Sequence, residues 1–285
     1  MRLTFATRSY SLARWQTARV IQLLQAAHPG LECNEYVIPV NSDDQLEDRL
    51  LSGKVQATVH SLKDLPVEST RGITLAAIPE RETASDVLVS ADGQRLSDLP
   101  EGARIGTNSL RRSAQLLARR PDLTILPLRG NVETRVWKLM NLDYEAIVLA
   151  QAGLTRLGLQ SHISEVFPLE VMLPAPGQGA LAVQCRADDH ETKELLAAIH
   201  NPSIAAAVTA ERAFLAGVGG ECALPVAAFA EEHNSTIILT GAVISTDGRQ
   251  AIRLSAADQE PYKLGERLAG LVLERGAAEL LTARV

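Results

Sequence analysis

The chain has 285 residues, of which 46% are hydrophobic and 22% are charged. This composition is typical of a globular protein with two or three domains, and no apolar run is long enough to span a bilayer. The formal net charge of −6 argues against a general nucleic-acid binder, because neutralising phosphates requires a basic surface. We therefore expect any anion-binding site to be built locally.

Cysteine usage indicates a reducing compartment. The three cysteines, Cys33, Cys185 and Cys222, are too scattered for a disulfide framework or a zinc cluster. We expect Cys33 and Cys185 to be small buried residues. The first residues enter a strand pattern at once and lack the features of a signal peptide. The sequence thus predicts a cytoplasmic protein with no metal, membrane or nucleic-acid partner.

Strand and helix patterns alternate in the first part of the chain. Strands are predicted at Arg2–Thr7, Tyr36–Val40, Val55–Val59 and Ile73–Ile78, and helices at Leu12–Ala27 and Asp44–Leu51. Such alternation favours a mostly parallel sheet with ligand-binding groups at the carboxyl ends of its strands. Arg8 and the stretch His60–Pro66 follow two of these strands. Polar residues of that stretch, Ser61, Lys63 and Asp64, are therefore candidates for a site.

A second α/β pattern begins at Asp86, after the polar connector Pro79–Glu82. It ends in Leu173–Ala180, a stretch rich in proline and glycine that leads into a further strand. We interpret the two connectors as crossings between two lobes. Two crossings predict a hinged cleft between the lobes, the geometry of type II periplasmic binding proteins.

Arginine residues recur where strands of the second lobe end. Strand Ala103–Gly106 runs into a helix that Asn108 or Ser109 can cap, and Arg111 and Arg112 lie in its first turn. Positive charge there opposes the helix dipole unless a negative group lies nearby. Other arginines at or just beyond a strand end are Arg129, Arg135 and Arg156.

The residues beyond Asn201 predict a small α+β domain. Helix Ser203–Leu215 leads to a glycine-rich loop that carries Cys222, and three strands and a last helix follow. The predicted domains are 1–80 with 179–199 for the first lobe, 81–178 for the second lobe and 200–285 for the C-terminal domain. The predicted fold class is α/β, with two periplasmic-binding-protein-like (type II) lobes and a small C-terminal α+β domain.

Several stretches together resemble the hydroxymethylbilane synthase family, also called porphobilinogen deaminase. The matching pieces are Ala6–Arg8, His60–Pro66, Gly106–Arg112, Leu128–Arg135, Ala152–Leu154 with Arg156, Pro174–Ala180 with Cys185 and Arg186, and Cys222 with Pro225. They occur in the family's order and at close to its spacing. The resemblance therefore covers nearly the whole chain.

The resemblance implies a monomeric transferase that joins four porphobilinogen molecules head to tail, with loss of ammonia, to give hydroxymethylbilane. The product would grow on a dipyrromethane cofactor, held by a thioether to Cys222, and Asp64 would be catalytic. Implied cofactor-binding residues are Ser61, Lys63, Thr107, Ser109, Arg111, Arg112 and Arg135. Implied substrate-binding residues are Arg8, Arg129, Arg156, Gln178 and Arg186.

The residue types suit this chemistry. Deamination leaves an electron-poor methylene-pyrrole cation, which a fixed carboxylate such as Asp64 can stabilise. Porphobilinogen carries two carboxylates, so a growing product needs guanidinium groups around it. A thiol is a natural nucleophile for a stable carbon–sulfur bond. No nucleophile lies beside His60 in the sequence, and we interpret it as a structural hydrogen-bonding residue.

The sequence departs from the family pattern in several places. Between Val40 and His60 it lacks most of a glycine-rich mobile lid. Tyr10 stands where a serine is expected, and Glu221 stands where a glycine is usual beside the anchor. We expect the shorter lid to leave the site more open, which would weaken water exclusion and substrate retention.

Two other functions are compatible with parts of the pattern. A catalytically silent anion- or pyrrole-binding relative that has lost the lid would use the same lobes, but Asp64 and Cys222 would then have no role. A ligand-sensing regulator is disfavoured because the sequence offers no helix-turn-helix segment and no basic surface. A covalent dipyrrole adduct separates the enzyme from the silent relative.

Overall fold

The computed structural model describes residues 2–39, 43–141, 144–220 and 224–282. The strands are β1 (Arg2–Arg8), β2 (Glu32–Ile38), β3 (Ala57–Ser61), β4 (Ile73–Ala77), β5 (Asp86–Ser90), β6 (Arg104–Gly106), β7 (Thr124–Leu126), β8 (Ala146–Ala150), β9 (Glu165–Val166), β10 (Leu181–Arg186), β11 (Val226–His233), β12 (Thr236–Ile244) and β13 (Ala251–Asp258). The helices are α1 (Ser11–Ala27), α2 (Asp43–Leu51), α3 (Leu110–Leu117), α4 (Val132–Asn141), α5 (Gln151–Arg156), α6 (His190–Ala197), α7 (Pro202–Gly217), α8 (Pro261–Glu274) and α9 (Ala277–Thr282).

These elements form two compact units. The first unit is Met1–Glu82 with Ala180–Ala205, and the second unit is Thr83–Gly179 with Ala206–Val285. In the ranges that the structure describes, no helix combines the length and the apolar character that crossing a bilayer would require.

The first unit is built on a five-stranded sheet in the order β2-β1-β3-β10-β4. Strand β1 runs parallel to β2 and β3, whereas β10 runs antiparallel to β3 and β4. Apolar side chains from α1, such as Val20 and Leu24, pack with Leu3, Phe5 and Val183 of the sheet. The carboxyl ends of β1 and β3 and the amino end of β10 therefore lie at one edge of the sheet.

The second unit contains another five-stranded sheet, in the order β7-β6-β8-β5-β9. Strands β6, β7 and β8 are parallel, and β5 runs antiparallel to β8 with Asp86 opposite Ala150. This register places the start of β5 at the edge where the parallel strands end. The fully buried Leu88, Ile105 and Val148 pack in one core of this sheet.

A separate antiparallel sheet, β11-β12-β13, belongs to the same unit. Its β12–β13 connection is a hairpin at Asp247-Gly248, in which the Ser245 N–H donates to the Gln250 carbonyl oxygen at 2.8 Å. Gly248 has a φ of +74°, which favours glycine. Helix α8 packs closely on α7 at Gly265. A Cβ at this position would clash with the backbone of Ala210, so the close approach requires glycine.

The α/β fold class is confirmed, with two mostly parallel five-stranded sheets and a small separate C-terminal sheet. The predicted three-domain boundaries stay a prediction. The predicted start of the second strand, Tyr36, was wrong by several residues, because β2 starts at Glu32. This strand lies at the edge of its sheet, and most of its residues are exposed or only partly buried. Polar residues at such positions weaken the hydrophobic pattern by which a strand is predicted.

The two cysteines that the structure describes differ in burial. Cys185 lies in the core as predicted, and burial raises the pKa of its thiol to about 11. Cys33 lies on the edge strand β2 and is only half-buried, so the prediction of a buried residue was wrong for it. Neither thiol has a disulfide partner.

Candidate active site

The candidate residues of the first unit lie where β1 and β3 end. After β3 the Leu62 N–H donates to the Ala180 carbonyl oxygen at 3.0 Å, and Leu62 is fully buried. The chain then makes one 3-10 turn, Leu62–Asp64, which the Leu65 N–H closes on the Leu62 carbonyl at 3.2 Å. The buried leucine anchors this turn and leaves Lys63 half-buried and Asp64 exposed.

Asp64 is an exposed carboxylate at the edge of this sheet. It makes no hydrogen bond or ion pair with the residues that the structure describes. No residue that the structure describes therefore neutralises its charge, and its oxygens are accessible at the surface.

Arg8 and Ser61 are each held by a neighbouring side chain. Nη1 of Arg8 donates to the Tyr10 hydroxyl at 2.9 Å, and its guanidinium carbon lies 6.0 Å from the centre of the Tyr10 ring. Nε2 of Gln16, a buried residue of α1, donates to the Ser61 hydroxyl at 2.8 Å. Helix α1 and the residue before it thus position both candidates.

His60 is buried beside these residues. Its Nε2 lies 3.0 Å from the Thr58 hydroxyl oxygen, which confirms its interpretation as a hydrogen-bonding residue of the core. Burial, with a smaller contribution from the Arg8 charge, lowers the pKa of His60 to about 4. The imidazole is therefore neutral at physiological pH, and it adds no positive charge next to Arg8.

Arg186 is not brought to this edge. Because β10 is antiparallel to β3, Leu181 lies opposite Ser61, while Arg186 pairs with Ile73 at the start of β4. The strand separates the two ends by about 17 Å at 3.3 Å per residue. Nε of Arg186 donates to Asp188 at 2.9 Å instead. Arg186 therefore lies apart from the other candidates of the first unit, and its assignment to the substrate stays a prediction.

Three candidates of the second unit, Arg111, Arg112 and Gln178, donate to a buried carboxylate, Asp86, at the start of β5. Asp86 is fully buried. Its Oδ2 accepts from Nη1 of Arg111 at 2.7 Å, and its Oδ1 accepts from Nη2 of Arg112 at 2.7 Å and from Nε2 of Gln178 at 3.1 Å. Three side chains from two separate stretches of sequence therefore share one anion.

This cluster has more positive than negative charge, since two guanidinium groups share the carboxylate of Asp86. Both arginines are buried, and burial lowers the pKa of Arg111, with Arg112 adding to this effect and Asp86 opposing it. The guanidiniums also donate to the carbonyl oxygens of Leu173 and Val148. Their remaining N–H groups meet no acceptor among the described residues.

Backbone geometry at the start of α3 explains why the arginines lie there. Ser109 is the N-cap of α3, and its hydroxyl accepts from the Arg112 N–H at 3.4 Å. Thr107 accepts from the Ser109 N–H at 3.1 Å, while Asn108 accepts from the Leu128 N–H. The alternative with Ser109 as the cap is therefore correct. Two arginines at the start of a helix oppose the helix dipole unless a negative group lies nearby. Asp86 supplies part of that negative charge.

Three further arginines follow β7 and β8 at the same edge. Arg129 is exposed, and its side chain makes no hydrogen bond with the described residues. Nε of Arg135 donates to the Gly130 carbonyl at 2.8 Å, and Nη2 of the buried Arg156 donates to the Gly179 carbonyl at 2.6 Å. The edge thus combines fixed guanidinium groups with an exposed one.

Gln178 depends on a second buried carboxylate, Glu211 of α7. The oxygens of Glu211 accept from the Gly177 N–H at 2.6 Å and from the Ala230 N–H at 2.8 Å. Gln178 itself donates to the Ala84 carbonyl as well as to Asp86. Glu211 therefore fixes the loop that carries Gln178 against β11.

Asp86 and Glu211 were not predicted as site residues from the sequence. A signal was present in both cases, because Asp86 opens the otherwise apolar strand Asp86–Ser90, and Glu211 lies in a helix rich in alanine. A charged residue in a segment that must be buried requires a partner.

Cys222 lies outside the described residues, as do residues 40–42 of the predicted lid region. The predicted cofactor anchor and the predicted shorter lid therefore stay predictions.

Comparisons with known proteins agree with the resemblance. A family model described as "Porphobilinogen deaminase, dipyromethane cofactor binding domain" matches residues 3–194, and one described as "Porphobilinogen deaminase, C-terminal domain" matches residues 205–274. The chain is similar to the porphobilinogen deaminase of Moorella thermoacetica, with 43% identity over 96% of this chain and 94% of that protein. It is also 43% identical to the Roseiflexus castenholzii porphobilinogen deaminase, over 98% of each.

Among solved structures, a nutrient binding protein from Burkholderia cenocepacia bound to methionine is similar at 19% identity and a TM-score of 0.47. That similarity covers 71% of this chain and 93% of the other.

The buried His60 predicts a pH dependence of stability. Its folded-state pKa of about 4 lies below the ordinary value, so the unfolded chain takes up the proton first as the pH falls. We expect about 3 kcal/mol of unfolding free energy to be present above pH 6.5 and lost as the pH falls to about 4. Urea unfolding across this range should show the loss in the wild type and a flatter profile in His60→Gln. Equal slopes for the two proteins would contradict this expectation.

Proposed function

The chain belongs to the porphobilinogen deaminase family and is a hydroxymethylbilane synthase with a dipyrromethane cofactor, and we propose that Asp64 is its catalytic carboxylate and Cys222 its cofactor anchor. The observation that carries the proposal is the cluster at Asp86, where two buried guanidinium groups share one carboxylate. A surplus of buried positive charge is stable when an anionic ligand completes it.

The cofactor and the described residues fit each other chemically. A dipyrromethane made from porphobilinogen carries carboxylate side chains, and Arg111 and Arg112 keep N–H groups that no described residue uses. We assign them to hold those carboxylates, and we assign the other cofactor-binding roles to Arg135, Thr107, Ser109, Ser61 and Lys63. When bound, the cofactor supplies the primer to which porphobilinogen units are joined.

Substrate carboxylates need further guanidinium groups, because each added ring increases the negative charge. We assign Arg8, Arg129 and Arg156 to this role. The exposed side chain of Arg129 supports a contact with an incoming ligand, while the bonds of Arg8 and Arg156 to protein oxygens support pre-organised binding. Gln178 donates to the Ala84 carbonyl oxygen and to Asp86, which also accepts from both arginines. We therefore assign Gln178 to position the arginines.

Asp64 suits the chemical step. Loss of ammonia from porphobilinogen leaves a methylene-pyrrole cation, and a carboxylate that makes no ion pair with a described residue can stabilise that positive charge. The same carboxylate can accept or return a proton on a pyrrole nitrogen within hydrogen-bond reach. The short 3-10 turn anchored by Leu62 holds it at the sheet edge.

We further propose a cytoplasmic enzyme that works as a monomer on small molecules, without nucleic-acid or membrane partners. The net charge of −6 supports the absence of a nucleic-acid partner.

Replacing Asp64 with asparagine should remove most of the turnover. Because a neutral amide cannot stabilise the cation, we expect kcat to fall by about 10²- to 10⁴-fold, with little change in thermal stability, since Asp64 bonds to no described residue. Steady-state kinetics with porphobilinogen measure this change. Asp64→Glu is the matched control, since it keeps the charge and should retain more activity than the asparagine variant. Wild-type turnover in Asp64→Asn would remove Asp64 from the mechanism.

The anchor is tested by intact mass. Freshly purified wild-type protein should carry the added mass of a dipyrromethane, and Cys222→Ser should lack it, because the thioether needs the Cys222 sulfur. Cys33→Ser, a change of a half-buried cysteine on β2, is the control and should keep the adduct. An adduct that persists in Cys222→Ser, or is missing from the wild type, would refute the anchor.

A further inference from the structure

We propose that Tyr10 is a positioning residue for Arg8, and that it raises the affinity of the enzyme for substrate carboxylates by holding the guanidinium in place. The inference rests on the proposed role of Arg8. It concerns a residue that departs from the family pattern, and it assigns no role in the chemical step to the tyrosine.

Two contacts join the residues. The Tyr10 hydroxyl accepts a hydrogen bond of 2.9 Å from Nη1 of Arg8, and the Arg8 guanidinium carbon lies 6.0 Å from the ring centre. An arginine above an aromatic face is attracted by the ring quadrupole. Both side chains are half-buried at the edge of the first sheet. One tyrosine therefore restrains Arg8 with its ring and with its hydroxyl.

The position of Tyr10 indicates that local backbone structure does not explain the tyrosine. It is the N-cap of α1, where serine, threonine, aspartate or asparagine would satisfy a backbone N–H of the first turn. Its side chain makes no such cap bond. The hydroxyl is turned to Arg8 instead. A residue that is poor for helix capping is thus present where its side chain serves an arginine of the candidate site.

The restraint changes the binding of an anion. A free arginine loses much rotamer freedom when it grips a carboxylate, and holding it beforehand reduces that loss. Loss of the hydroxyl should therefore weaken substrate binding and leave the chemical step unaffected.

The decisive experiment is a double-mutant cycle of Tyr10→Phe and Arg8→Gln, measured as KM and kcat for porphobilinogen on the cofactor-loaded enzyme. We expect Tyr10→Phe to raise KM roughly three- to tenfold, with kcat and the thermal midpoint nearly unchanged. In the Arg8→Gln background the same substitution should have no further effect. Arg8→Lys provides a second background if the glutamine variant is too weak to measure.

A matched control exists in the same unit. Tyr36 on β2 lies under the Arg49 guanidinium at 5.5 Å, outside the candidate site, and Tyr36→Phe should leave KM at the wild-type value. Intact mass and thermal unfolding of every variant show whether the cofactor and the fold are retained.

The outcomes separate the inference from the proposed function. If neither Arg8→Gln nor Arg8→Lys raises KM, the proposed role of Arg8 is wrong. If they raise KM but Tyr10→Phe does not, or if its effect is the same with and without Arg8, the positioning role of Tyr10 is wrong. A Tyr10→Phe effect on stability alone would also overturn it.

Discussion

The buried carboxylate of Asp86 is the constraint on which the second unit depends. Removing a carboxylate from water is costly, and the cost is offset here by two guanidinium groups and a carboxamide that donate to its oxygens. These donors come from α3 and from the loop before β10. The carboxylate therefore joins parts of the chain that are far apart in sequence and fixes the positions of Arg111 and Arg112.

The same constraint explains how the site can hold anions in a protein of negative net charge. One carboxylate does not balance two guanidinium groups, so the cluster keeps a positive charge inside the protein. Charges in such surroundings interact more strongly than charges at the surface, because water screens them less. We therefore propose that local construction, and not overall composition, lets this acidic chain bind a polycarboxylate.

The two units treat their charged groups differently. In the second unit Arg111, Arg112 and Arg156 are buried and are held by carbonyl oxygens or by Asp86, which suits groups that bind and orient. In the first unit Arg8 is held by Tyr10, whereas Asp64 makes no bond with a described residue. This contrast matches the proposed roles, since a binding group gains from being fixed and a reacting carboxylate must keep its oxygens for the substrate.

Much of the fold and part of the site could be predicted from the sequence. Strand ends followed by polar residues placed Arg8, Asp64, Arg111 and Arg129 at sheet edges, because the carboxyl ends of parallel strands share an edge. Register could not be predicted, since a sequence does not show the direction in which β10 joins the sheet.

For this reason the sequence did not show that Arg186 lies at the opposite end of β10 from Leu181. The partners of Arg111 and Arg112 were missed for a related reason. A hydrogen bond between residues that are distant in sequence leaves no local pattern, and only the burial of Asp86 in an apolar strand gave an indication of it.

Asp86 holds the two buried arginines of the site in place. The free energy of unfolding of Asp86→Asn, compared with that of the wild type, is the measurement that tests this role. Equilibrium unfolding in urea should show a loss of about 3 to 5 kcal/mol, because two buried guanidiniums would lose their counter-charge. Glu32→Gln, which breaks the exposed Arg2–Glu32 pair, should change the value by no more than about 1 kcal/mol. A loss for Asp86→Asn as small as that of the control would contradict the claim.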